Sequence, residues 1–292
     1  MMWLLGYSLY RNQAGLGGNT VYMLPCTVGN QNMSFVVVNS AGEIIVIDGG
    51  YTADAQFLIN MLKELQPNAE KPVVTAWLIT HGHSDHIEAI SAVINSGEVV
   101  VNAIYHDMPT EEAWAAAKAA GYDNGSSDTD TAARVALYEA IASANITVVR
   151  PQTGVSLVFG SAKFDILYTP TDDGTYTSNF GNNSSVIYKL VTSEKSVLFL
   201  GDAGTDASHW LVANKAQELD SDIVQMAHHG QNGVRQDCYQ AISPSIALWP
   251  TPQWVWDNRG GTGTLETPTV RGWMDVLGCV NYVSKDGIIK IS

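Results

Sequence analysis

The chain has 292 residues, 46% of them hydrophobic, and a formal net charge of −14 from 29 acids against 15 Lys and Arg. That composition can bury a large core and excludes a disordered or fibrous protein, while so few cations disfavour tight binding to nucleic acid, which is held mainly through Lys and Arg contacts to phosphates. No apolar run nears the roughly 20 residues of a membrane-spanning helix, and MMWLLGYSLYR lacks the basic start and small-residue cleavage site of a signal peptide, so a cytoplasmic protein without a membrane partner is expected.

In chain order, SFVVVN and EIIVID flank a turn-like SAGE and read as a hairpin of buried strands ending in Asp48-Gly49-Gly50. TADAQFLINMLKEL has apolar residues at helical spacing, and PVVTAWLIT is a β-branched strand running into a histidine cluster. IEAISAVINS reads as a helix, EVVVNAIY as a strand, and TEEAWAAAKAAG with TAARVALYEAIASA as a helical pair. Between that pair, GYDNGSSDTD is polar and turn-rich, either a solvated connector or a lid beside a site.

The second half repeats the theme with strands VSLVF, AKFDILYT, SSVIYKLVT and SVLFLGDAG. A helix around ASHWLVANKAQEL leads to the strand DIVQMAHHG, the helix DCYQAI, the strand SIALWP and the helix TPTVRGWMDVLG. CVNYVSKDGIIKI closes the chain as an expected hairpin. With no Pro/Gly-rich linker between the halves, residues 1–292 are expected to form one domain. Cys26, Cys238 and Cys279 are far apart, odd in number and form no CxxC, so they read as reduced thiols rather than disulfides or thiolate ligands.

Metal-capable side chains gather where apolar strands end: Asp48, then His81, His83, Asp85 and His86 in THGHSDH, Asp202 in LFLGDAG, and His228 with His229 in MAHHG. Any one of these histidines alone would read as structural, but the grouping points to a metal. Imidazole and carboxylate without thiolate suit zinc, with Mn or Fe as alternatives. In an extended segment His81 and His83 point the same way and can share one ion, while the following turn can aim Asp85 and His86 at a second. Two ions in such sites sit about 3.5–4 Å apart, which one carboxylate can bridge, and Asp202 is the candidate.

With its HxHxDH met by His81-Gly82-His83-Ser84-Asp85-His86, the sequence resembles the metallo-β-lactamase-fold hydrolases over nearly its whole length. The resemblance implies a four-layer αββα sandwich, two mixed β-sheets flanked by helices, with the site at one edge between the sheets. It implies further that Asp48 supports the site, that Asp202 bridges both metals, and that His229 ligates while His228 contacts substrate. Within the superfamily, VLFLGDAG and MAHHGQNG look most like the soluble domain of competence DNA-uptake channel proteins and like choline-phosphate esterases of teichoic acids. One departure stands out. Where many members carry a third histidine for the first metal, this chain has Asn182-Asn183, so Asn183 is read as a weak oxygen ligand or a residue beside the ligands. His106, in AIYHDMP, is read as a supporting or structural histidine.

A metal ion lowers the pKa of bound water from 15.7 towards about 7, so hydroxide is available at neutral pH and hydrolysis is the natural reaction. Asp85 is the candidate to orient that nucleophile, and His228 to steady a departing or non-bridging oxygen. Trp249, Trp254 and Trp256, in ALWPTPQWVWDNRGG, are read either as core or as a pocket mouth that stacks on a base or cages a quaternary ammonium. The expected activity is metal-dependent hydrolysis of a small phosphoester, most plainly a phosphodiester. The alternatives are a thioester, lactone or β-lactam hydrolase, or a weakly active binding module of the same fold.

Overall fold

The computed structural model describes residues 2–123, 127–170, 178–258 and 265–292. The chain opens with strands β1 (Met2–Leu4), β2 (Tyr7–Asn12) and β3 (Thr20–Met23), then the hairpin β4 (Ser34–Val38) and β5 (Ile44–Asp48). Helix α1 (Ala55–Leu65), strand β6 (Val73–Leu78) and helix α2 (Ser84–Ser96) follow, then β7 (Val100–Val101), β8 (Ala103–Tyr105), α3 (Glu111–Ala119), α4 (Asp128–Ala144) and β9 (Thr147–Val149). The second half runs β10 (Ser156–Phe159), β11 (Ala162–Tyr168), the short α5 (Phe180–Asn183), β12 (Ile187–Val191), β13 (Ser196–Phe199), α6 (Thr205–Leu219) and β14 (Ile223–Gln225). It ends α7 (Gln236–Ile242), β15 (Ile246–Trp249), α8 (Gln253–Trp256), α9 (Thr267–Leu277), β16 (Val280–Val283) and β17 (Ile288–Ile291).

Two mixed sheets result. The first orders β1-β2-β17-β3-β4-β5-β6-β8-β9, with β7 also on β6, and the second orders β10 to β16 in sequence. β5 and β6 are parallel neighbours, Ile47 beside Leu78, and both are buried on two faces, which is why they read as unbroken apolar runs. The inner faces meet through Phe35, Ile45, Ile47 and Leu78 on one side and Phe164, Tyr188, Phe199 and Leu248 on the other. At the centre the Phe35 and Phe199 rings pack edge to face, centroids 5.3 Å apart. Outside, α1, α2 and α4 cover the first sheet and α6, α7 and α9 the second, so the expected four-layer sandwich is present. No helix among the described residues is long and apolar enough to cross a membrane.

Helix boundaries follow local chemistry. Ser127 caps α4, exchanging hydrogen bonds with Asp130, and α2 stops at Gly97, whose left-handed φ of 66° breaks the helical path. The C-terminal hairpin expected from CVNYVSKDGIIKI does not form: β16 pairs with β15 in the second sheet, whereas β17 crosses to lie between β2 and β3 in the first. The turn signal SKDG was real, but it joins two layers instead of two partners, stitching the chain end onto its N-terminal strands.

Because Phe199 fills the inter-sheet core at full burial, Phe199→Ala should cost about 3–5 kcal/mol in urea unfolding. Val158→Ala, at a side chain 64% exposed, should stay within about 0.5 kcal/mol. Equal effects at the two positions would contradict the packing described.

Candidate metal centre

The centre begins with one turn. β5 ends at Asp48, whose φ of 54° turns its carboxylate across the neighbouring strand end. Asp48 Oδ1 accepts from the Thr80 backbone N–H at 2.8 Å, and Oδ2 accepts from Thr80 Oγ1 at 2.7 Å and from His86 Nδ1 at 2.7 Å. Since the Thr80 hydroxyl gives its proton to Asp48, it receives one from His81 Nδ1 at 3.2 Å. One carboxylate thereby orients two histidines, His86 directly and His81 through Thr80, so that both Nε2 atoms point away from it and toward the centre.

The histidine loop is clamped to the strand ends by backbone bonds. Gly49 N–H donates to His86 C=O at 2.7 Å, and Ala89 N–H to Gly50 C=O at 2.9 Å. His83 is the N-cap of α2, so Asp85 sits in the first turn, where the helix dipole favours a carboxylate. From the second sheet, the turn after β13 brings Asp202. A Cβ at Gly201, itself at φ 54°, would sit 2.8 Å from the Thr80 side chain, so the two sheets can close here only over a glycine. Gln225 at the end of β14 holds the turn, accepting from Leu200 N–H at 2.7 Å and donating to Gly201 C=O at 3.0 Å. His228 and His229 follow with φ of 51° and 54°, consecutive left-handed residues that are costly and typical of functional turns. His229 Nδ1–H donates to Pro250 C=O at 3.0 Å, aiming Nε2 inward.

Asp85, His86, Asp202 and His229 thus converge, offering ligand atoms all within 4.8 Å of one another. His229 Nε2 lies 3.1 Å from Asp85 Oδ2 and 3.2 Å from Asp202 Oδ2, and His86 Nε2 lies 3.3 Å from Asp202 Oδ1. His86 Nε2 and Asp202 Oδ1 are both buried without a hydrogen-bond partner although they face each other. Orphaned donor atoms on two sides of one point, with two imidazoles and two carboxylates around it, fit a divalent cation. Beside this set, His81 Nε2 and His83 Nδ1 approach to 3.0 Å.

Burial alone would lower the pKa of His229, but the Asp202 and Asp85 carboxylates overcome it and lift it to about 10. His86 is likewise held well above its ordinary value against burial, by Asp202, Asp85 and Asp48. His81, buried beside His86 and His83, is driven well below its own.

Several expected residues lie elsewhere. Asn183 does not face the histidines: its Oδ1 accepts from Ala207 N–H at 3.0 Å and its Nδ2 donates to Ser178 C=O at 2.7 Å, so its amide is spent bracing α5. Trp249 is fully buried under the second sheet with Nε1–H on Asn281 Oδ1 at 2.8 Å, and Trp256 packs edge to face on it, 5.2 Å away. Trp254 is half-buried on α8, and none of the three lines the cavity over the centre. Of the two readings open for these tryptophans, core packing holds for Trp249 and Trp256, as the apolar wall around β15 dictates. His106 ends β8 with Nδ1 accepting from Met108 N–H at 3.3 Å and its ring 5.9 Å from Tyr138; burial brings its pKa down to about 4, in a structural place apart from the centre. His228 presents Nε2 to the Asn182 amide at 3.2 Å, with Nδ1 towards Asn232 C=O at 3.3 Å. Burial pulls its pKa below the ordinary value, and its ring stands in the wall of the cavity over the centre.

The cavity above the centre measures about 470 Å³, with His83, Asp85 and Asp202 in its lining beside Tyr51, Asn182 and His228. Thr80 and Gln225 were missed by sequence reasoning, which named Asn182 beside Asn183 but gave the role to Asn183. Thr80 alone carried a signal, a hydroxyl directly before the histidine run.

The profile described as Metallo-beta-lactamase superfamily matches residues 26–243. Among solved structures the chain is similar to YhfI of Bacillus subtilis, a metallo-beta-lactamase fold protein, at 12% identity over 92% of this chain and 98% of that one, with a TM-score of 0.53. It is also similar to CmlA, a diiron beta-hydroxylase of Streptomyces venezuelae, at 13% identity and a TM-score of 0.54 over 93% of this chain but only 53% of that one. At such identities the likeness shows the fold. No curated protein matches the chain.

His229 carries a proton in the metal-free chain at neutral pH, so a bound ion must displace it. Metal affinity should therefore rise with pH, about tenfold per unit for each proton displaced, up to about pH 10. Calorimetric titration with Zn(II) in buffers of differing ionisation enthalpy should show at least one proton released per ion. A heat independent of buffer would contradict this protonation state. Asp48→Asn, which disturbs the orientation of both histidines, should weaken Zn(II) binding by about 10–100-fold in the same titration.

Proposed function

The chain belongs to the metallo-beta-lactamase superfamily, and on that footing we propose that it is a metal-dependent hydrolase of small phosphoesters, most plainly phosphodiesters. The observation that carries the reading is the set of Asp85, His86, Asp202 and His229 closing on one point in the lining of an open polar cavity. Those four residues would hold one divalent ion, and His81 with His83 would hold a second, with Asp202 shared between them. Zinc suits the imidazole-carboxylate donors, and Mn or Fe the harder ones among them. When bound, the ions supply Lewis acidity and an acidified water.

The residues do the rest. Asp85, at the cavity rim of the four, orients the attacking water through its carboxylate. Tyr51 lines the same cavity, and burial together with the nearby Asp85 pushes its phenol upward, so it keeps its proton at neutral pH and is the donor suited to a substrate oxygen. His228, in the same lining, is the other candidate to steady a departing or non-bridging oxygen. No Lys or Arg is among the described residues lining the cavity. A singly charged diester therefore suits it better than a dianionic monoester, and the net charge of −14 disfavours long nucleic acid. A second reading, a weakly active metal-binding module, is favoured by one observation: only two imidazoles present themselves to the first ion.

Metal-loaded protein should hydrolyse bis-p-nitrophenyl phosphate or p-nitrophenyl phosphorylcholine faster than thioester or lactam substrates, and lose that activity to chelation. Asp85→Asn should lower kcat by about 10²-fold or more. Turnover of thioesters or lactams alone would replace the phosphoester reading, and no metal-dependent turnover of any of them would favour the module.

A further inference from the structure

We infer that the two halves of this centre hold metal unequally, and that Asn182, through its side-chain amide oxygen, is the third protein donor of the weaker half formed by His81 and His83. The inference rests on the metal-hydrolase reading above and concerns how its site is filled.

The tight half is complete by itself. Two imidazoles and two carboxylates surround one point, and the strand ends that carry them are braced by Asp48, Gln225 and the Pro250 carbonyl. The other half has the right beginning. His81 Nε2 and His83 Nδ1 stand 3.0 Å apart, near the roughly 3.3 Å expected of two nitrogens on one tetrahedral ion with metal–nitrogen distances of about 2.0–2.1 Å. What it lacks is a third nitrogen.

α5 packs against this half. Gly181 packs directly on the His83 ring, so closely that a Cβ there would collide with Nε2. The next residue, Asn182, is 4% exposed and lines the same cavity as His83, Asp85 and Asp202. Its Nδ2 is engaged by His228 Nε2 at 3.2 Å, and its Oδ1 is buried with no hydrogen-bond partner. A buried amide oxygen left unpaired costs about 1–3 kcal/mol, so an oxygen in that state in a cavity wall calls for a cation or a donor to face it. His228 keeps the amide from turning over, since its Nδ1–H is directed to Asn232 C=O and its Nε2 can only accept. Asn183, by contrast, has both ends of its amide bonded within the protein. An amide oxygen is a weaker ligand for zinc-like ions than imidazole, hence the inequality.

The test is titration of the metal-stripped protein with Co(II), followed by visible absorption and equilibrium dialysis. One equivalent should bind at least about 100-fold more tightly than the second. Asn182→Ala should weaken the second equivalent by about tenfold or more and leave the first unchanged, while the isosteric Asn182→Asp should tighten the second. His83→Ala should abolish the second and spare the first. Two equivalents of matching affinity, or a second equivalent indifferent to both Asn182 substitutions, would overturn the inference and leave the hydrolase reading standing. Failure to bind any Co(II) would overturn both.

Discussion

The structure turns on the carboxylate of Asp48. Its backbone is held left-handed at the end of β5, and its two oxygens gather the Thr80 amide, the Thr80 hydroxyl and the His86 ring at 2.7–2.8 Å. A fully buried carboxylate is expensive unless it is met by donors on every side, and burial does push its pKa upward. The donors that satisfy it are the groups that set the metal-facing nitrogens of His81 and His86. Folding the first sheet correctly and orienting these two histidines are therefore the same event. A strand register shifted by one residue would leave Asp48 unpaired in the core.

The second sheet answers that arrangement from across the core. Its turns must come close, and they do so through backbone features that ordinary side chains resist: Gly201 against Thr80, and the paired left-handed residues His228 and His229. The strain is localised where the donors are. Two acids and two imidazoles crowd together at 3.1–3.3 Å, and a cation among them would take the place of the proton on His229. Metal binding at this point would be coupled to the final closure of the two sheets through the same atoms.

Much of this was legible in the chain order. The apolar runs of β5 and β6, the helical spacing of α1 and α2, and the acids and histidines placed after strands all have local causes: period-two or period-3.6 burial, and loops that display side chains from a rigid scaffold. The C-terminal strands were harder. The turn between β16 and β17 is as polar as any hairpin turn, and nothing within it says that the following strand will leave for another sheet. The tryptophans left two readings open for a related reason. Trp249 and Trp256 carry the same atoms whether they line a pocket or fill a core, and only the wall they meet decides.

By itself the sequence carried the fold class through its resemblance to a known superfamily, and the donor types through HxHxDH, which packs them into one short loop where an extended segment followed by a helix start leaves few directions to point. The tertiary structure decided what depends on rotation about distant backbone bonds. It put His229 rather than His228 with Asp85, His86 and Asp202, and Asn182 rather than Asn183 at the cavity. Neighbouring residues in a tight turn face opposite ways, and which one faces inward is set by the φ of that turn and by partners such as Pro250 and Ala207, which lie 21 and 24 residues away along the chain. Composition and spacing carry no record of that choice; the closing of the two sheets makes it.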